Sequence, residues 1–261
     1  VIAPGITYSA QDNVGTASLT IPNVVVDPGK AACLVVRVGN RTDTVSILSI
    51  TWGSKNLSQH AFIAGTNCRA SLWYAAGLTA GTNNVVITFS AATKSVGFAT
   101  VSYYVDQFSP IGNAFTASGT STTPLVNVTN SNPVLGDTQV KDIVAAQFAV
   151  GQTLTVGAGQ TQEGQGTTTG GAASSNIQVG VSREVPAVNP TPMTWTISGS
   201  QQWAMVGTYL KPAIIYTGFA WIVNPPTMAL GSKTIDAEQE ARIRNLENLV
   251  AQHERKVRSR I

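Results

Sequence analysis

Apolar and polar positions alternate with a period of two along most of the chain. In "ACLVVRV", Leu34, Val36 and Val38 alternate with Val35 and Arg37, and "NNVVITFS" sets Val85, Ile87 and Phe89 on one face. "GFATVSYYVDQF" aligns Ala99, Val101, Tyr103 and Val105 against Phe98, Thr100, Ser102 and Tyr104. The runs "DIVAAQFAV", "NIQVGVSREV", "PMTWTISG" and "QQWAMVGTYL" continue the habit. Such runs, rich in Val, Ile, Thr and aromatics and separated by Gly, Asn, Ser and Pro, predict half-buried antiparallel strands. Before residue 233 no window carries a capped helical stripe. The fold class is all-β, an antiparallel β-sandwich of jelly-roll or immunoglobulin-like kind.

A single sandwich over residues 1–212 is the preferred division, with a split into two halves near residue 110, at "FSPIGN", as the alternative. Residues 151–176 are rich in Gly, Thr and Gln and read as long mobile loops around one weak strand. After "YLKP" the alternation stops. Residues 213–232 form an apolar arm broken at Pro225 and Pro226, with Phe219, Trp221 and Ile222 as its attachment residues. The arm is either a last strand tucked on the body or a segment that docks on another protein.

Residues 233–261 change register and predict a C-terminal amphipathic α-helix, coiled-coil-like in pattern. Asp236 caps its start with Gln239 three residues on, and Glu238 and Glu240 load the first turns. Arg255, Lys256, Arg258 and Arg260 load the last turns, so both charge blocks complement the helix dipole. Ile243, Leu246, Val250 and Val257 keep a seven-residue rhythm that Leu249 widens, and His253 and Arg260 fill the remaining core slots. So short a helix is marginal alone in water because nucleation is costly. It packs on its own body or on other copies of itself, and we favour self-association through these five apolar residues.

Charge sharpens the picture. Of 261 residues, 43% are hydrophobic and only 11% charged, against about 25% in an average soluble protein. The tail from residue 233 holds seven basic and five acidic side chains, which leaves nine basic and eight acidic groups in the first 232 residues. A nearly neutral body carries no electrostatic footprint for nucleic acid, and the tail's charges offset one another. No nucleic-acid or membrane partner is expected. The longest apolar stretch, "AIIYTGFAWIV", is too short to span a bilayer, and "VIAPGITYSA" lacks the basic start and apolar run of a signal peptide.

Candidate chemistry is thin. Cys33 and Cys68 read as buried free thiols, with one bridge between neighbouring strands as the alternative. With His60 the one histidine of the body, a four-ligand zinc site has too few donors, so no metal or cofactor is expected. His60 reads as a polar strand or turn residue. A glycosidase needs two carboxylates facing one cleft. Asp27, Asp43 and Asp137 sit in turn sequences, Glu163 lies in the Gly-rich stretch, and Asp106 ends a strong strand. No catalytic residues are assigned, and the protein is read as a non-enzyme. Trp52, Trp73, Trp195 and Trp203 lie in apolar alternating runs, where core packing is the default and sugar stacking the alternative. Sequons at Asn40, Asn56 and Asn127 say little in so Asn- and Thr-rich a chain.

Four segments in order, "SILSITWGSKNLSQH", "RASLWYAAGLTAGTNNVVITFS", "GFATVSYYVDQFSP" and "QQWAMVGTYLKPA", give the chain a further likeness. Over roughly residues 6–212 it resembles the β-sandwich modules of tailed-phage structural proteins and related bacterial surface proteins. These motifs reflect strand and turn demands and carry no catalytic residues over. The resemblance implies a virion location on the capsid exterior, as a capsid decoration (cement) protein, a head fibre or a tail appendage. It also implies a homotrimer that contacts the major capsid protein or another virion protein. The heptads themselves do not choose between dimer and trimer. The rival expectation is a carbohydrate-binding or adhesin module on a tail or cell surface.

Overall fold

The structure is a computed structural model and describes residues 1–131 and 137–213. The expected helical tail, its heptad residues Ile243, Leu246, Leu249, Val250 and Val257, and the arm residues Phe219, Trp221 and Ile222 lie outside the described residues. Within them the chain is all-β and antiparallel, with a short 3-10 turn at Ala173–Ser175.

The first sheet is built on one long ribbon. Strand β1 (Ala3–Val26) pairs with β7 (Gly81–Tyr103) from Ala3 opposite Tyr103 to Val26 opposite Gly81. Register shifts around Asp12, Thr16 and Ile21 bend the ribbon, as bulges do. It folds back far enough for the Asp27 N–H to donate to the Tyr103 hydroxyl at 3.2 Å. Asp12 organises the bend: one carboxylate oxygen accepts from the N–H groups of Val14 and Gly15, each at 3.0 Å, and the other from the Thr16 hydroxyl at 2.7 Å. Burial pushes this carboxyl up, but the Thr16, Val14 and Gly15 hydrogen bonds outweigh it and hold it below the usual range.

Strands β2 (Ala32–Asn40), β3 (Ile47–Trp52), β4 (Lys55–Asn56), β5 (Ser58–Gly65) and β6 (Cys68–Ala76) complete this sheet in the order β4-β3-β7-β2-β6-β5. The second sheet joins β8 (Phe115–Ser121), β10 (Gln139–Gln147), β12 (Thr161–Thr167), β13 (Ile177–Glu184) and β15 (Gln201–Leu210) in the order β12-β13-β10-β15-β8. The third sets β14 (Thr191–Ile197) between β9 (Leu125–Val128) and β11 (Leu154–Val156). The first sheet thus uses residues up to 103 and the other two use residues from 115 onward. Residues Val1–Ile215 nevertheless form one compact unit, because the first and second sheets share a core.

Three apolar clusters separate the layers. One fills the inside of the folded ribbon, with Ile21, Val36, Ile87 and Val101. The next lies between the first and second sheets, with Val35, Leu72, Phe98, Ile143, Val179 and Val206. The last lies between the second and third sheets, with Val144, Met193, Trp195 and Met205. The layered stack bears out the expected half-burial for strands such as β14 and corrects it for β2. Every residue of β2 is buried, because the strand has a core on each face. The packing leaves no room for side chains at some crossings: a Cβ on Gly39 would stand 2.4 Å from Val179 Cγ2.

The expected mobile loops at 151–176 are also corrected. β11 and β12 lie there, and β12 pairs with β13 along its length. The remaining turn is anchored by Lys94, whose ammonium donates to the Thr169 carbonyl at 3.1 Å and Asn176 Oδ1 at 2.8 Å. Arg41 Nε adds a 2.8 Å bond to the Ser174 carbonyl.

Candidate functional site

The densest chemistry lies between the first and second sheets. β12 carries a bulge at Glu163, between Gln162 opposite Ser182 and Gly164 opposite Val181. The extra residue turns the carboxylate inward, and Gly164 permits it, since a Cβ there would meet Phe98 Cε1 at 2.5 Å. Glu163 then accepts from Arg37 Nη2 at 2.7 Å and from Lys141 Nζ, and Arg183 Nε stands 3.6 Å away. The Arg37 and Lys141 side chains are 0% exposed and that of Glu163 is 5% exposed. Arg37 also donates to Thr100 Oγ1 at 2.6 Å and to the carbonyls of Asp142 and Ser182 at 3.1 and 3.2 Å.

One carboxylate therefore serves three cations. Burial pushes the Glu163 carboxyl up, but the Lys141 and Arg37 charges overcome this and bring it down to about 2. Lys141 moves down as well, to about 8, although it holds a carboxylate. Burial, with Arg37 and Arg183 beside it, outweighs the one negative partner. On the opposite face of β10, buried Asp142 accepts from Trp195 Nε1 at 2.8 Å, Ser182 N at 2.8 Å and Ser182 Oγ at 2.7 Å. Burial raises its carboxyl against those bonds.

This cluster has the residue types of an acid–base site but not the access. Two surface pockets among the described residues, of about 370 and 200 Å³, are lined by other residues. The arrangement ties three strands of one sheet to β2 of the next. Asp106, the other carboxylate in question, is a turn cap: its Oδ1 accepts from Phe108 N at 2.8 Å and Ser109 N at 3.2 Å. No group of three or more metal-ligating side chains forms among the described residues.

The remaining sequence candidates are accounted for locally. Thr208 Oγ1 donates to the Asn113 carbonyl at 3.0 Å, so its contact with His60 Nε2 at 3.1 Å is a bond that the imidazole N–H donates. Burial lowers the His60 pKa. Cys33 and Cys68 are free and buried. Cys33 pairs with Ala76 at one end of β2–β6, whereas Cys68 lies beyond the Asn40–Arg69 pair at the other, roughly 20 Å or more away. Trp52, Trp73, Trp195 and Trp203 are all buried, as core packing requires. Asn40 is buried, with its amide spent on the Thr42 and Val45 carbonyls, while Asn56 and Asn127 are exposed.

One end of the body presents apolar surface. The ribbon end at Ala3 and Tyr103 and the last described residue, Ala213, meet there: Ala213 N donates to the Tyr104 carbonyl at 2.7 Å, and Val105 bridges Pro212. Tyr104 is exposed and holds a left-handed φ of 60°, and Phe108 is 102% exposed. Alternation along the strand does not announce this, because Phe108 lies past the last paired residue.

No protein-family model, no curated protein and no solved structure matches the chain. No helix among the described residues is long and apolar enough to cross a membrane.

Proposed function

We propose that the protein is a non-enzymatic structural component of a tailed-phage virion, a capsid decoration protein on the head exterior that works as a homo-oligomer, with a trimer favoured. The sandwich body is the displayed part. The C-terminal segment, with the apolar arm and the amphipathic helix over 233–261, is the attachment and assembly part. The major capsid protein or another virion protein is the partner.

The observation that carries this reading is where the ionisable groups of the body are spent. Arg37, Lys141 and Glu163 lock two sheets together, Asp12 and Asp106 cap turns, Lys94 and Arg41 hold a loop, and Asp27 pairs with Lys30. The outer surface is left to Thr, Ser, Asn and Gly, which pack against a neighbour without desolvating ions. Weak contacts of this kind add through effective concentration when several copies are joined. The sugar-binding alternative loses its indole platforms, since the four body tryptophans are core residues.

The test is a chain ending at residue 232. Sedimentation should show smaller particles than the full chain, capsid binding should weaken, and the β-rich circular dichroism should persist. A shortened chain that keeps both its size and its capsid binding overturns the role given to the tail.

A further inference from the structure

Phe108 is held out into solvent by a loop tied down by hydrogen bonds. Asp106 closes the turn beneath it, Gln107 Nε2 donates to the Val105 carbonyl at 2.7 Å, and Lys211 Nζ donates to Ser109 Oγ at 2.8 Å. Gln107 also accepts from Gly77 N at 2.8 Å, which fixes the loop beside the 77–80 turn. That turn borders the groove of about 370 Å³, lined by Trp52 and Leu78 together with Ser54, Lys55, Thr79 and Asn83. A knob and a groove thus stand side by side at one end of the body. An aromatic ring needs a cavity of about 150 Å³, so the groove has room for one.

We propose that copies of this chain join at this end, with Phe108 of one copy seated in the Trp52–Leu78 groove of the next. A preorganised aromatic anchor is the residue type that dominates interfaces, since little ordering entropy remains to be lost. The surrounding charges favour a second copy. Asp27 and Lys30 neutralise each other, and Lys211 and Asp106 are engaged within the loop. Among the described residues at this end, only Lys55 and Lys211 bring cations without an ion pair, so ionic repulsion between like surfaces is small and screened by salt. Lys55, which forms no ion pair among the described residues, lines the groove, where its ammonium can lie over an incoming ring. With knob and groove side by side, the contact closes either reciprocally about a two-fold axis or head-to-tail into a ring when the rotation permits. The 48 residues beyond Ala213 leave from this same end, so a ring would start its C-terminal segments close together. The inference rests on the self-association in the proposed function and names a second contact for it.

Two full-length variants, Phe108→Cys and Thr79→Cys, are mixed and oxidised. Buried Cys33 and Cys68 stay out of the reaction. The expected result is a disulfide-linked pair containing one chain of each variant, with little linkage in either variant alone. In parallel, Phe108→Ala should weaken association at least tenfold in a dilution series followed by sedimentation. An assembled chain whose association is unchanged by Phe108→Ala, or which links only Phe108→Cys to itself, overturns this contact and leaves tail-driven assembly standing. A full chain that sediments as a monomer overturns both.

Discussion

Glu163 reaches across from the second sheet to accept a 2.7 Å hydrogen bond from Arg37 Nη2, in the middle of the first. This bond carries the charge balance of the interface, because Lys141 and Arg183 lean on the same carboxylate. Glu163→Gln removes the one negative group and strands buried cations. Breaking a buried pair in this way costs about 3–5 kcal/mol. The urea midpoint of the variant should drop accordingly, whereas exposed Lys55→Ala should leave it within experimental scatter. A Glu163→Gln chain as stable as the parent would show that this carboxylate does not carry the charge balance of the interface.

The same carboxylate sets an acid limit. Its pKa falls from 4.5 unfolded to about 2 folded, held there by Lys141 and Arg37 against burial. The unfolded chain therefore binds the proton first as pH drops, and the contribution of Glu163 is full above about 4.5 and lost toward about 2. Asp142 and Glu184, both raised, work in the opposite sense over neighbouring pH. The informative quantity is hence the stability difference between the parent and Glu163→Gln. It should shrink steadily between those two pH values.

Trp195 is a core residue with a polar duty, its indole N–H donating to Asp142 Oδ2 at 2.8 Å. Trp195→Phe keeps most of the apolar volume but leaves a buried carboxylate short of a donor. The expected loss is about 1–3 kcal/mol. Trp195→Phe combined with Asp142→Ala should lose less than the two single changes added together, which a double-mutant cycle measures.

How much of this was legible depends on the strand. Val85, Ile87 and Phe89 share a face in the sequence and are all buried in one core. Arg37 misleads: alternating with Leu34, Val36 and Val38, it looks like the solvent side of a half-buried strand. The usable signal is the unbroken apolar run "ACLVV", repeated in "DIVAA" around Lys141 and Asp142. Such runs mark strands covered on both faces, and a charge within one must be paired. Residues 151–176 hide their strands because Gly, Thr and Gln contribute little apolar pattern. β12 is held by backbone pairing to β13 and by Glu163, and neither leaves a periodic trace. The aromatic loop was invisible for a different reason: full exposure of Phe108 follows from how the chain turns after Val105.

Both cysteines offer a last check on the packing. Burial pushes each thiol up to about 12 from 9.0, with Lys141 only partly opposing it for Cys33, and Arg41 for Cys68. The thiolate is the reactive form, so at pH 8 a thiol reagent should label neither residue in the folded protein and both in denaturant. The raised values also fix a sign. The unfolded chain loses these protons near pH 9 and the folded chain near 12, so their stabilising contribution is complete below about 9 and fades as pH climbs toward 12. Lys141, lowered to about 8, opposes this between about 8 and 10.5. A Cys33→Ala, Cys68→Ala chain should therefore lose less stability than the parent between pH 9 and 12. Equal slopes for the two proteins would place both thiols in contact with water.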